Sequence, residues 1–137
     1  MLTILDVNAE LAKLTMLRGR TPETPPEARE GSFARLAPYR DSAINLAKFS
    51  GEGPWERHPN GDEIVQVVAG AATLDIMFDD GPQSFAINAG TVVVVPQGRW
   101  HRFVAPEGVA LMTTTPQPTQ HLTFAIDDPR TLDGENG

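Results

Sequence analysis

Two short runs hold the side chains best suited to chemistry. The first, Trp55-Glu56-Arg57-His58-Pro59-Asn60-Gly61-Asp62-Glu63, sets a histidine between two glutamates. The second starts at Gly90, passes through Val92-Val93-Val94-Val95-Pro96-Gln97-Gly98, and ends on Arg99-Trp100-His101. Imidazole nitrogens with carboxylate oxygens suit a divalent metal such as manganese, iron(II) or zinc. Side chains two apart in a strand share a face, so Glu56 and His58 project together if that stretch is extended. The same alternation puts Glu63 on one wall with Val65 and Val67, and His101 on one with Phe103 and Ala105. Pro59-Asn60-Gly61-Asp62 is a turn that folds Glu63 back toward His58, and Pro96-Gln97-Gly98 is a turn that delivers His101.

Each of these residues has a plainer role to set beside the chemical one. His58 can be a loop histidine, His101 a core histidine, and Glu63 one of a solvated turn pair with Asp62. Glu56 is a metal ligand, a general base if it is not coordinated, or a surface partner of Arg57. Without a metal, Glu56 and Glu63 could form an acid/base pair only if burial raised one carboxyl. Arg99, in the turn, is the candidate for holding a substrate carboxylate, because Arg102 points to the face opposite His101. Trp55 and Phe103 are the apolar side chains expected beside a substrate. His121, the third histidine, falls in a late strand away from both runs and is assigned to structure. Ser50-Gly51-Glu52-Gly53 lacks the Gly-Lys-Ser of a phosphate loop, and no serine sits in a Gly-x-Ser-x-Gly turn.

These residues carry a resemblance. Glu63-x6-Gly70 resembles the second half of the first cupin motif, and Gly90-x5-Pro96-x-Gly98-x2-His101 resembles the second motif at every spacing. In the family a His-x-His pair precedes the glutamate. Here His58 stands at the second histidine, Glu56 at the first, and Ala105 replaces an asparagine that often closes the second motif. The resemblance covers roughly the central 55 residues, counted from the motif spacings. It implies metal ligands at His58, Glu63 and His101, with Glu56 where a fourth, nitrogen ligand is usual. It also implies a double-stranded β-helix and a homodimer. The expected function is a metal-dependent enzyme acting on a small organic molecule, of dioxygenase, isomerase or lyase type. The alternatives are a non-catalytic small-molecule binding or sensor cupin, and a structural cupin that has lost its metal.

The elements that must position these residues are short. Val7, Leu11, Leu14 and Leu17 recur at helical spacing, which predicts an amphipathic helix over 7–17 with Asn8 as N-cap. Pro22, Pro25 and Pro26 then predict an extended arm over 18–31 that joins no sheet. Strand-like alternation follows over 33–39, 43–49, 64–68, 73–78, 84–87, 92–95, 101–105, 109–115 and 121–126. Gly70 and Asp79-Asp80-Gly81-Pro82 are the turns between some of them. Four valines in a row predict that 92–95 is covered on both faces. The pattern is all-β, a sandwich or barrel, and the resemblance sharpens it to a jelly-roll cupin barrel over 32–127. A helix and proline-rich arm precede it over 1–31, and an acidic flexible tail follows over 128–137.

Composition narrows the partners. A chain of 137 residues is one domain with a real core. Its formal charge of −7 is spread along the chain with no basic stripe, which argues against nucleic acid. No apolar run approaches the ~20 residues of a membrane span, and the N-terminus lacks a signal-peptide pattern. The absence of cysteine excludes disulfides and thiolate metal sites and makes the cytoplasm the default location.

Overall fold

The computed structural model describes residues 1–132 and 134–136. Helix α1 (Val7–Ala12) leads into β1 (Leu17–Arg20), β2 (Phe33–Tyr39), β3 (Ser42–Glu52) and β4 (Glu56–Arg57). After them come β5 (Glu63–Phe78), β6 (Gly81–Asn88), β7 (Val92–Val95), β8 (His101–Pro116), β9 (Gln120–His121) and β10 (Glu135–Asn136). The strands curl into a jelly-roll barrel built around β8. One edge of β8 pairs with β5, from Ile64↔Thr114 to Ile76↔His101. Its other edge pairs with β3 and then with β4, at Glu56↔His101. β2 extends the sheet beyond β3, while β6 and β7 extend it beyond β5. The inward residues fill the barrel: Phe49, Val65, Val67, Leu74, Ile76, Val95, Phe103 and Leu111 are buried in one cluster.

The expected turn at Gly70, and the break between the expected strands 101–105 and 109–115, are bends within long strands. β5 and β8 run on through them with shifts of register. The backbone at Gly70 has φ +74°, and a Cβ there would lie 2.3 Å from the Gly108 carbonyl oxygen. Only glycine permits that crossing of the two bends. The valine run also departs from expectation. Val92 and Val94 are 58% and 59% exposed, while Val95 is buried. β7 pairs only with β5, and nothing among the described residues covers its outer face, so it alternates as a one-sided antiparallel strand does.

The N-terminal expectations need correction. α1 ends at Ala12, and its N-cap is Asp6, whose carboxylate accepts from the Ala9 N–H at 3.0 Å; Asn8 is not the cap. Leu17 leaves the helix to begin β1, where it packs against the main cluster. The arm does join the sheet: β1 lies parallel to β3, with Arg20 opposite Gly51. Beyond it, Pro26–Arg29 form a single 3₁₀ turn. The loop is pinned at its base, where the Thr15 N–H donates to the Gly31 carbonyl at 2.8 Å and the Ser32 hydroxyl donates to the Thr15 carbonyl. Its tip is held by Glu23, which accepts from the Ala125 N–H at 3.0 Å. Proline-rich sequence here makes a closed flap on its own barrel.

The C-terminal expectations change as well. Of the expected 121–126 strand only His121 is in a strand, as the end of the two-residue β9. Pro129 is fully buried, Leu132 packs against a second cluster of Trp55, Met77, Trp100 and Leu122, and β10 pairs antiparallel with β9. The apolar faces of two tryptophans give the tail a surface to bury, which its own composition does not reveal. Asp133 and Gly137, also in the expected flexible tail, lie outside the described residues. Among the described residues no helix is long and apolar enough to cross a membrane.

The docking of β1 depends on Gly51. Its φ is +103°, and a Cβ there would lie 2.3 Å from the Arg20 carbonyl oxygen. Gly51→Ala is expected to cost about 1–3 kcal/mol from the backbone conformation alone. The loss should appear as a lower urea midpoint at unchanged slope. A midpoint equal to that of the parent would mean that β1 does not need this approach.

Candidate metal centre

The barrel brings the two runs together at one end. Glu56 lies on β4, Glu63 opens β5, and His101 opens β8, while His58 sits in the turn after β4. The turns are tied to each other. The Gly98 N–H donates to the His58 carbonyl at 3.0 Å, the Gln97 N–H to Asp62 at 2.8 Å, and the Gln97 side-chain amide to the Pro59 carbonyl at 2.7 Å. Glycine and proline thus set the relative position of the two histidines through backbone bonds.

Four side chains converge. His58 Nε2 lies 3.2 Å from Glu63 Oε2, His101 Nε2 lies 3.2 Å from Glu63 Oε1, and His101 Nε2 lies 3.8 Å from Glu56 Oε1. One ligand atom from each of Glu56, His58, Glu63 and His101 falls within 4.8 Å of all the others. Metal bonds of about 2.0–2.2 Å place neighbouring ligand atoms about 3–3.5 Å apart and opposed ones a little over 4 Å apart. The spacing fits a single ion with small adjustments. His58, Glu63 and His101 are buried, whereas the Glu56 side chain is 27% exposed.

The surroundings orient the ligands. His101 Nδ1 is 3.0 Å from the Arg99 carbonyl, which can only accept, so Nδ1 carries a proton and Nε2 faces the cluster. His58 Nδ1 is 3.1 Å from the Thr119 hydroxyl. His58 Nε2 is buried with no hydrogen-bond partner: it is within ion-pair distance of Glu63 but not in hydrogen-bond geometry. A buried nitrogen left without a partner and aimed at a carboxylate is what an ion between them would satisfy. The Thr115 hydroxyl donates to Glu63 Oε2 at 2.7 Å and lies 2.9 Å from the Thr113 hydroxyl. Burial opposes ionisation of Glu63, but the His101 hydrogen bond and then the His58 ring outweigh it and hold the carboxyl down at about 2. Burial likewise opposes protonation of His101, and Glu63 outweighs it, raising the imidazole above its ordinary value.

The cluster opens into a cavity of about 360 Å³. Phe103 lines it, with its ring edge-on to His101 at 5.9 Å. Arg99 does not: its guanidinium pairs with Asp79 at 2.9 Å and lies over Phe78, so what it gives the site is its carbonyl. Trp55 is also turned away, being 2% exposed in the second cluster with its indole N–H donating to the Ile126 carbonyl. Arg102 points outward as alternation requires, to Asp75 at 2.9 Å and Glu52 at 3.1 Å. His121 is displaced from its expected place, since it pairs across strands with Glu56 and lines the cavity. Thr115, Thr119 and Arg20 went unnoticed in the sequence. Alternation along Thr113-Thr114-Thr115 could have flagged the first, but no local signal marks the others.

Comparison with known proteins agrees with this fold. A family model described as "Cupin domain" matches residues 45–114. An uncharacterized protein of Bacillus subtilis (strain 168), YdbB, is 31% identical over 67 residues, 49% of this chain and 57% of that relative, so the chain spans little more than half of its length. The crystal structure of a cupin-2 domain containing protein from Shewanella frigidimarina superposes with a TM-score of 0.53 at 32% identity, covering 63% of this chain and 80% of that one. Hydroquinone 1,2-dioxygenase from Sphingomonas sp. TTNP3 gives a TM-score of 0.55 at 15% identity, covering 63% and 65%, a likeness of fold alone.

Two outcomes follow for the centre. Thr115→Val removes a donor to Glu63 and should weaken divalent-metal affinity about 10–100-fold in a competition titration with a chelator; unaltered affinity would strip Thr115 of this role. The second concerns chelator-treated protein. Glu63, lowered from 4.5 to about 2, contributes stability that is present above pH 4.5 and lost as pH falls through about 2. His101, raised above 6.5, contributes stability that is present below pH 6.5 and lost as pH rises through its folded value. This pair should therefore stabilise the protein most between pH 4.5 and 6.5, and Glu63→Gln should flatten both limbs of the denaturation profile. Limbs as steep as those of the parent would contradict the assignment.

Proposed function

The chain belongs to the cupin-domain family, and from that premise we propose that it is a divalent-metal enzyme acting on a small organic molecule. The observation that carries this reading is the convergence of His58, Glu63, His101 and Glu56 at the base of a cavity, with two imidazole nitrogens aimed at one buried carboxylate. Manganese, iron or zinc suits such a donor set of nitrogen and oxygen without sulfur.

The residues divide the work. His58, Glu63 and His101 would hold the ion, and Thr115 and the Arg99 carbonyl fix two of them in place. A bound divalent ion would supply Lewis-acid stabilisation of charge on a substrate oxygen. Glu56, more exposed than the other three, stands at the edge where its carboxylate can take or return a substrate proton. Phe103 and the barrel wall keep water from the inner side. Dioxygenase, isomerase and lyase chemistry all use such an arrangement, and the fold does not choose among them.

The reading extends to a homodimer. Ile64, Val92 and Val94 are exposed on the outer face of β5 and β7, with Ile64 directly across from Val94, and a second copy would cover them. Light scattering at micromolar concentration should report a dimer; monomer alone would remove this part.

Protein purified without chelator should contain stoichiometric manganese, iron or zinc. His101→Ala should lose it while retaining the far-ultraviolet strand signal. Parent protein that stays metal-free when offered all three metals would overturn the reading. Turnover separates the enzyme from the alternative, a non-catalytic binding or sensor cupin. Metal-loaded protein should convert a member of a panel of oxo-acids, diketones and sugars, whereas tight binding with no conversion would favour the sensor.

A further inference from the structure

The flap over 15–32 brings a second kind of chemistry to the cavity. Arg20, the last residue of β1, lines it beside Arg29 from the 3₁₀ turn. The Arg20 guanidinium lies over Phe33 at 4.9 Å and over Phe49 at 4.8 Å, while Arg29 lies over the same Phe33 ring at 5.7 Å. Among the described residues neither guanidinium has an acid within ion-pair distance; Glu56 faces Arg20 only at longer range. Burial pulls the Arg20 pKa down to about 10; Glu56 partly offsets this, and Arg29 adds a smaller push downward. Two like charges therefore share the Phe33 ring with no acid at ion-pair distance among the described residues, and Arg20 is desolvated there. That arrangement is unfavourable unless an anion completes it.

Local structure keeps the space open. A Cβ on Gly53 would lie 3.1 Å from Arg20 Nη1, and one on Gly51 would strike the Arg20 backbone. The glycines of Ser50-Gly51-Glu52-Gly53 thus seat this arginine and its strand.

We propose that Arg20, assisted by Arg29, is the anion-binding wall of the cavity, and that the molecule it admits is a small organic carboxylate with an apolar or aromatic body. This rests on the proposed function, whose substrate class it names. The planar guanidinium offers a carboxylate two parallel hydrogen bonds. Phe103 and Leu111, which also line the cavity, offer its body a surface. Glu56 and Glu63 line the same cavity and disfavour a dianion such as a phosphate monoester. The carboxylate end binds under the flap and the body points down toward the two histidines. Arg20 is then a specificity-determining residue, in the role that the sequence suggested for Arg99.

The test uses benzoate and benzamide, its neutral counterpart, titrated calorimetrically into chelator-treated and into manganese-loaded protein. The parent should bind benzoate about 10–100-fold more tightly than benzamide in both states, as charge-assisted hydrogen bonds require. Arg20→Gln should abolish that preference and keep its manganese. Arg20→Lys retains the charge but not the fork and should lose most of the preference; it carries the test if the glutamine variant does not fold. A parent that fails to distinguish the two probes, or variants that distinguish them as well as the parent does, would overturn the proposal. A protein that takes up no manganese would sink the metal reading alone, because the metal-free comparison still reads the arginine.

Discussion

A carboxylate buried in an apolar barrel must find positive charge, and the site is arranged around that requirement at Glu63. Both of its oxygens are engaged: Oε1 by His101, Oε2 by His58 and the Thr115 hydroxyl. The imidazoles are held in turn from behind, by the Arg99 carbonyl and by Thr119. The contact between Glu63 and His101 moves the two groups in opposite directions from their ordinary pKa values, the carboxyl down and the His101 imidazole up. A divalent ion at the centre of the cluster would balance the Glu63 charge, and it would also satisfy His58 Nε2, a buried nitrogen with no hydrogen-bond partner among the described residues.

The barrel serves this requirement through its bends. β5 and β8 are antiparallel, so their first residues, Glu63 and His101, start at opposite ends of the shared ladder; the strands bend at the Gly70–Gly108 crossing, and the two residues meet across the barrel at 3.2 Å. The turn-to-turn bonds from Gly98 and Gln97 then bring His58 alongside. Every ligand sits within a residue or two of a strand or of a turn bonded on both sides. The flap adds what the barrel lacks: it closes the open side and supplies cations facing the carboxylates.

Much of the centre was legible in the sequence because it rests on local rules. Period-two alternation placed Glu63 with Val65, and His101 with Phe103, and proline and glycine marked the turns that bring them together. What was missed depends on long-range contact. Arg20 reaches the cavity only because β1 docks on β3 at Gly51, and a stretch flanked by three prolines gives no sign of that. His121 meets Glu56 through a two-residue strand too short to carry any pattern. Val92 to Val95 read as doubly covered because hydrophobicity alone does not tell a central strand from an edge. Arg99 was read from its neighbourhood to His101, but a turn residue can place its carbonyl and its side chain on opposite sides.

Anomalous diffraction from crystals grown with manganese puts the account to its most direct trial. One strong peak per chain is predicted, within about 2.0–2.4 Å of His58 Nε2, His101 Nε2 and a Glu63 oxygen. No peak there, or a peak held by other residues while these three side chains keep their mutual contacts, would contradict it.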